Sequence, residues 1–70
     1  MSREIEVRVL GAFLNDRYLL SRVISDGFDV EVFSETNLRT IFRTIVEMSQ
    51  VPGQVIDFIT LANTLKSKGW

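Results

Sequence analysis

The stretch FSETNLRTIFRTIVEM, Phe33 to Met48, carries the longest helical pattern in the chain. Ser34 is its predicted N-cap, and Phe33 and Leu38 occupy the two positions of a hydrophobic staple around that cap. The apolar residues recur at spacings of three and four, which predicts an amphipathic helix with one buried side: Leu38, Ile41, Phe42, Ile45 and Met48. The opposite side carries charges four residues apart, which predicts a solvated stripe: Glu35, Arg39, Arg43 and Glu47.

Two helices are predicted before this stretch. The first runs from about Arg3 to Leu14, and Gly11 inside it predicts the close approach of another helix. The second begins after Asn15 or Asp16 as N-cap and ends at Gly27. If Asn15 is the cap, Leu14 and Leu19 form a second staple. Their predicted buried sides are Ile5, Val9, Leu10, Ala12, Phe13 and Leu14 in the first helix, and Leu19, Leu20, Val23 and Ile24 in the second.

A fourth helix is predicted near the end of the chain. Asp57 is its N-cap, Ile56 and Leu61 form a third staple, and Gly69 follows its last turn. The predicted apolar side contains Phe58, Leu61, Ala62 and Leu65. The sequence therefore predicts an all-α, compact bundle of about four helices that forms a single domain over residues 1–70.

Two connecting segments also have recognisable patterns. Val51-Pro52-Gly53 has Pro and Gly in the order that a type II turn requires. Residues 28–33 alternate apolar and acidic side chains, which alone is a strand pattern, but a single short strand has no partner here. We therefore expect an extended connector that buries Phe28 and Phe33, and the other three phenylalanines also fall at positions predicted to be buried.

The composition excludes most catalytic classes. There is no cysteine and no histidine, which excludes thiolate or imidazole metal sites, disulfides and His-based catalysis. The net charge of −1 lacks the basic excess that phosphate-backbone binding usually needs, so no direct nucleic-acid binding is expected. No apolar run is long enough to span a bilayer, and the charged N-terminus does not resemble a signal peptide, so a cytoplasmic location is expected with no membrane contact.

No local motif supplies a reactive site. None of the four glycines lies in a phosphate loop of the G-x-x-x-x-G-K-[ST] type. Asp29 and Glu31 are the closest carboxylate pair outside a helix, but no nucleophile or cationic partner accompanies them, and a solvated edge is the preferred interpretation. A helix-turn-helix is disfavoured because the connector after Gly27 is too long for that tight motif. We predict no catalytic, cofactor or metal residues.

Three residues remain as candidates for partner contact: Tyr18, Arg22 and Trp70. Tyr18 and Arg22 lie one turn apart, off the main apolar side of the second helix, where an ordinary boundary position is the alternative. Trp70 is the only tryptophan and follows a helix stop signal at the last position. Either it folds back on the helix in a Schellman-type ending, or the chain is a piece of a longer protein.

Several segments together resemble the N-terminal domain of DnaB-type replicative DNA helicases of bacteria and phages. The order and spacing match from about Glu4 to the last residue. The segments that carry the resemblance are Val9 to Leu14 (VLGAFL), Phe33, Leu38-Arg39, Ile41-Phe42, Ile56 to Ala62 (IDFITLA), Leu65 and Gly69. Leu38 departs from the family, because many relatives carry histidine before the arginine, but it remains compatible with packing.

This resemblance implies a helical head that does no chemistry itself. Its partners would be other helicase subunits, primase and helicase loader proteins, as part of a collar on a ring hexamer. The C-terminal helical hairpin that pairs subunits and the motor that binds ATP and Mg²⁺ are not found in these 70 residues. We therefore expect a monomer or a weak dimer. The alternative hypothesis is a free-standing small helical regulator that binds DNA or a helicase.

Overall fold

The longest helix lies at the centre of the fold. The computed structural model describes residues 2–70. It contains α1 (Arg3–Asn15), α2 (Arg17–Ser25), a 3₁₀ turn (Val30–Val32), α3 (Thr36–Ser49) and α4 (Phe58–Ser67). α3 packs against α1, α4 and the 3₁₀ turn, whereas α2 packs mainly against α1. Residues 2–70 contain no β-strand, and the predicted all-α bundle is confirmed.

Aromatic rings hold the centre of the bundle together. Phe33 and Phe42 are buried, with ring centroids 5.3 Å apart, and Phe13 lies 5.7 Å from Phe42. Phe28, which is half-buried, meets the edges of the other three rings at 5.6 to 6.1 Å. The tilted and edge-to-face arrangements are those that aromatic pairs prefer. The remaining buried hydrophobic residues are Leu10, Leu20, Leu38, Ile45, Met48, Leu61 and Leu65.

The buried face of α1 differs from the prediction. Ile5 was expected to be buried, but it is 51% exposed. The face against α3 instead contains Glu6, Leu10 and Phe13, at spacings of four and three residues. The prediction used apolar residues alone to define the buried side, so it included Ile5 and left out Glu6. Gly11 was also misinterpreted, because a Cβ built there would meet no atom within 4 Å apart from its own helix and its chain neighbours, so no helix approaches closely.

Glu6 explains why the predicted N-cap of α3 is wrong. Ser34 does not cap the helix: its backbone N–H donates to Glu6 Oε1, and its hydroxyl donates to Glu6 Oε2 over 2.8 Å. Glu35 occupies the cap position without a side-chain hydrogen bond to the helix. The shift also cancels the proposed staple around Ser34, although Phe33 and Leu38 are both buried. Ser34 thus joins α3 to α1 instead of starting α3.

The other helix ends follow the sequence signals closely. Asp16, not Asn15, caps α2 by accepting from Leu19 N, so the second proposed staple is absent. Gly27, with φ of 77°, ends α2 as expected. Gly53, with φ of 76°, together with a Gln54 N–H to Val51 C=O bond of 3.1 Å, fits the predicted type II turn.

The connector between α2 and α3 is only partly as expected. It buries Phe33 and half-buries Phe28, as predicted, but residues 30–32 form a 3₁₀ turn instead of a fully extended segment. Asp29 caps this turn by accepting from Glu31 N over 3.2 Å, and both acidic residues are exposed. The carboxylate pair is therefore part of a solvated edge, which was the preferred interpretation.

The charged side of α3 joins neighbouring elements. Glu35 pairs with Arg3 of α1 at 2.6 Å, and Glu47 pairs with Lys68 after α4, also at 2.6 Å. Arg39 Nε donates to the Phe33 carbonyl over 2.6 Å. The predicted stripe along one helix therefore acts mainly between elements. Exposed pairs of this kind contribute little stability each.

Candidate partner-binding surface

Two of the predicted contact residues lie together on α2. Tyr18 is 71% exposed, and Arg22 is also exposed one turn later. The buried side of the helix is fixed by Leu20, so Tyr18 and Arg22 face away from the core. The preceding Arg17 donates to the carbonyl oxygens of Gln54 and Ser49, at 3.2 and 3.5 Å. These bonds attach the start of α2 to the last residue of α3 and to the loop before α4.

Trp70 ends α4 in a Schellman arrangement. Its N–H donates to the Leu65 carbonyl over 3.1 Å, and Gly69, with φ of 97°, donates to Lys66. The backbone therefore folds back onto the last turn, which was one of the two predicted alternatives. The indole side chain is nevertheless 51% exposed, so it remains accessible to a partner.

The helix packing does not join the three candidates into one site. Tyr18 and Arg22 lie on α2, which packs mainly against α1, while Trp70 follows α4, which packs against α3. The three candidates therefore lie on different elements, with Tyr18 and Arg22 on one helix and Trp70 after another. A role for any of them in partner contact remains a prediction.

One exposed apolar surface lies on α4 and includes two residues that the sequence pattern assigned to the buried side, Phe58 and Ala62. Phe58 is 74% exposed, Ile59 is 69% exposed, and Ala62 is also exposed. We call these three residues the α4 face. Only Leu61 and Leu65 of this helix are buried, because α4 packs mainly on α3 and needs a narrow apolar stripe. The predicted burial of Phe58 and Ala62 is therefore wrong.

The start of α4 explains the position of Phe58. Asp57 and Thr60 form a reciprocal capping box, with Asp57 Oδ1 accepting from Thr60 N over 2.8 Å. Phe58 is thus the first helical residue. Because helical side chains lean toward the N-terminus, its ring is directed away from the rest of α4 and is largely exposed. Val55, which is 60% exposed just before the cap, adds to the apolar surface at this end.

A second apolar feature is an open groove of about 580 Å³ formed by α1, α2 and the connector. Phe13 and Phe28 lie at its base, while Leu19 and Val32 at its edge are more than a third exposed. The full lining is apolar: Val9, Ala12, Phe13, Leu19, Val23, Phe28 and Val32. An apolar groove without polar side chains lacks the orienting groups that small-molecule sites usually contain.

The carboxylates with altered pKa have structural roles. Hydrogen bonding from the Ser34 backbone N–H, opposed by burial and aided by the Ser34 hydroxyl, lowers the pKa of Glu6. The backbone and side-chain hydrogen bonds of Thr60 lower the pKa of Asp57. These hydrogen bonds favour the ionised form of both carboxylates. Those of Glu6 join α1 to the segment before α3, and those of Asp57 cap the start of α4.

Two kinds of site are not found in residues 2–70. No group of three acidic side chains there could hold a metal ion, and none of the helices has the length and apolar character of a membrane span.

Comparison with known proteins places this arrangement in a family. The family model described as "DnaB-like helicase N terminal domain" matches residues 1–70, the whole length of the chain. The chain belongs to the DnaB-like helicase N-terminal domain family. No curated protein and no solved structure matches it. The exposed residues of α2 and α4 are therefore surfaces of a DnaB-like domain.

Proposed function

We propose that this DnaB-like domain is a non-catalytic protein-interaction part of a replicative DNA helicase. In this role it supports assembly of the hexamer collar and receives primase and a helicase loader during replication in the cytoplasm. The observation that carries the proposal is the family match over residues 1–70. Function is assigned here through the family, because folds alone do not determine function.

The surface of the domain supports an interaction role. Aromatic side chains that are largely exposed, such as Tyr18 and Phe58, favour protein contacts, because they provide large contact area at low entropic cost. The carboxylates with lowered pKa are occupied with helix caps and helix joining, which favours a scaffold over an acid–base site. The 70 residues contain no G-x-x-x-x-G-K-[ST] sequence, so ATP and Mg²⁺ would bind to the motor domain of the parent helicase.

Titration with the C-terminal domain of the cognate primase tests this proposal. We expect amide resonances of the domain to shift with a dissociation constant of about 100 μM or tighter. Tyr18→Ala and Arg22→Ala should weaken binding, whereas Arg8→Ala, an equally exposed arginine change on α1, should not. The absence of any shift at ~1 mM primase domain would contradict the proposal.

A further inference from the structure

The open apolar groove formed by α1, α2 and the connector continues along α1 beyond its lining residues. We call it the α1–α2 groove. Ile5 lies four residues before Val9, and Ala12 lies three residues after it, so these side chains share one side of α1. Ile5 is 51% exposed and extends the apolar wall. From Ile5 to Ala12 the helix rises ~10.5 Å, which is about two helical turns.

The walls of the α1–α2 groove offer few hydrogen bonds to an extended peptide. The two long walls are helices, whose backbone groups bond within each helix, and every lining side chain is apolar. An extended segment would lose water from its own backbone groups there without gaining partners. A helix satisfies these groups internally and needs only apolar side chains at helical spacing. The groove therefore suits a helix that contacts it over about two turns.

One end of the groove carries an excess of negative charge. Three exposed carboxylates lie close in the chain to the lining residues Val23 and Val32: Asp26, Asp29 and Glu31. There is no lysine or arginine from residue 23 to residue 38. Within residues 2–70 none of the three carboxylates forms an ion pair, and those of Asp26 and Glu31 accept no hydrogen bond. The C-terminal end of α2, which the helix dipole makes negative, lies at Asp26.

The cations of α1 and α2 lie outside the groove lining. Arg8 pairs with Glu4 at 3.2 Å, and Arg17 donates to two carbonyl oxygens beyond α2. Arg22 is exposed on α2 but does not line the groove. The negative end of the groove is therefore complementary to a cationic partner, whereas an anionic surface would be repelled from it.

We propose that the α1–α2 groove binds an amphipathic helix of a partner protein that carries lysine or arginine beside its apolar side. Apolar side chains of this helix, at spacings of three, four and seven residues, cover Ile5, Val9 and Ala12. Its basic residues lie next to Asp26 and Glu31, where opposite charges fix the orientation of the helix and speed its association. The inference rests on the proposed function only in specifying the chemistry of one partner of the domain.

Two synthetic peptides test the class of partner. Both are ~18 residues long with leucine at the same helical spacing, and one has lysine where the other has glutamate at the flanking positions. We expect the lysine peptide to shift amide resonances of α1, α2 and the connector with a dissociation constant of about 100 μM or tighter. The glutamate peptide should bind at least about tenfold more weakly. Equal affinities, shifts confined to α4, or no shift at ~1 mM lysine peptide would overturn the proposal.

Two matched changes on α1 test the apolar wall. Ile5 and Val7 are 51% and 47% exposed, but only Ile5 lies on the groove side, because residues two apart do not share a helix face. Ile5→Ser should weaken binding of the lysine peptide about fivefold or more, through lost apolar burial, and Val7→Ser should leave it unchanged. Equal losses contradict the proposal. Circular dichroism checks that both variants are folded.

A second pair of variants tests the charged end of the groove. Glu31→Gln should weaken binding of the lysine peptide and reduce its dependence on salt. Glu4→Gln removes an exposed carboxylate outside the lining and should change neither. Identical salt dependence in wild type and Glu31→Gln would show that the carboxylate does not contact the basic residues.

The remaining measurements separate this inference from other occupants and from the proposed function. Sedimentation equilibrium without peptide detects a second copy of the chain, and a dimer that Ile5→Ser dissociates would overturn the proposal. Titration with primase depends on Tyr18 and Arg22, which do not line the groove. Loss of primase binding therefore leaves the peptide result intact, and failure of the peptide leaves the primase result intact.

Discussion

Glu6 places a charge at a position that solvent does not reach. Its side chain is fully buried, and both carboxylate oxygens accept hydrogen bonds from Ser34, 28 residues later in the chain. A buried carboxylate is costly unless its hydrogen bonds are satisfied, and Ser34 supplies two donors, its backbone N–H and its hydroxyl. Glu6 thereby fixes the position of α1 relative to α3. Because Ser34 is bonded to Glu6, α3 begins without a side-chain cap.

Substitution of two glycines by alanine should have opposite effects on stability. Gly11 lies inside α1 with open space around its missing Cβ, so Gly11→Ala should stabilise the domain by about 0.5–1 kcal/mol through helix propensity. Gly27 also has open space, but its φ of 77° is unfavourable for alanine, so Gly27→Ala should destabilise by about 1–2 kcal/mol.

Urea unfolding of both variants measures these changes. Comparison of the two variants measures the effect of backbone conformation alone, because neither added methyl group meets another side chain. Destabilisation by Gly11→Ala would mean that α1 lies closer to a neighbour than the structure shows.

At the scale of the elements, α4 depends on its first turn more than the other helices do. It packs mainly on α3 and buries only Leu61 and Leu65. Thr60 Oγ1 accepts from Asp57 N over 3.0 Å and donates to the Val55 carbonyl over 3.0 Å. Its hydroxyl therefore connects the helix start to the loop before it, which positions the α4 face.

Removal of this hydroxyl should loosen the start of α4. We expect Thr60→Val to lower the free energy of unfolding by about 0.5–1.5 kcal/mol and to speed amide hydrogen exchange in the first turn of the helix. Thr64→Val is the matched control, because the Thr64 hydroxyl donates only to the Thr60 carbonyl of its own helix, at 2.8 Å. Equal effects of the two variants would show that the capping box does not stabilise the helix specifically.

Some helix ends can be predicted from the local sequence, and others cannot. Asp57, Gly27 and Gly69 act through bonds to residues three to five positions away, so their roles can be predicted from local spacing. The roles of Glu6 and Ser34 depend on a contact between distant segments, which no local pattern contains. The exposure of Phe58 has a similar cause, since the number of helices that pack on α4 decides how wide its buried stripe must be.

For the whole molecule, the fold was more predictable than the surface. The apolar spacing in α3 predicts one buried side along the helix. In the structure the phenylalanine rings of neighbouring segments pack against Phe42 on that side. Partner contacts leave no comparable signal, because an exposed aromatic residue such as Tyr18 has the same local pattern whether or not a partner covers it. The candidate contact residues therefore rest on exposure in the fold, and their proposed role rests on the family.

The two carboxylates with lowered pKa make the stability of the domain sensitive to acid. Glu6 and Asp57 have lower pKa in the folded state than their ordinary values of about 4.3 and 3.9. Below those values the unfolded chain binds more protons than the folded one, so stability rises with pH in this range. The stabilisation is present at neutral pH and is lost as the pH falls through the folded pKa values.

Urea midpoints measured from pH 7 to pH 2.5 should therefore stay level down to about pH 5 and then fall steadily. Glu6→Gln should lower the midpoint at pH 7, because the amide cannot accept both bonds from Ser34, and should reduce the slope at low pH. The slope due to Asp57 should remain in this variant. Glu4→Gln, an exposed change on the same helix that removes only a surface pair with Arg8, should reproduce the wild-type profile. A Glu6→Gln profile with the full wild-type slope would show that the buried carboxylate does not set the acid sensitivity of the domain.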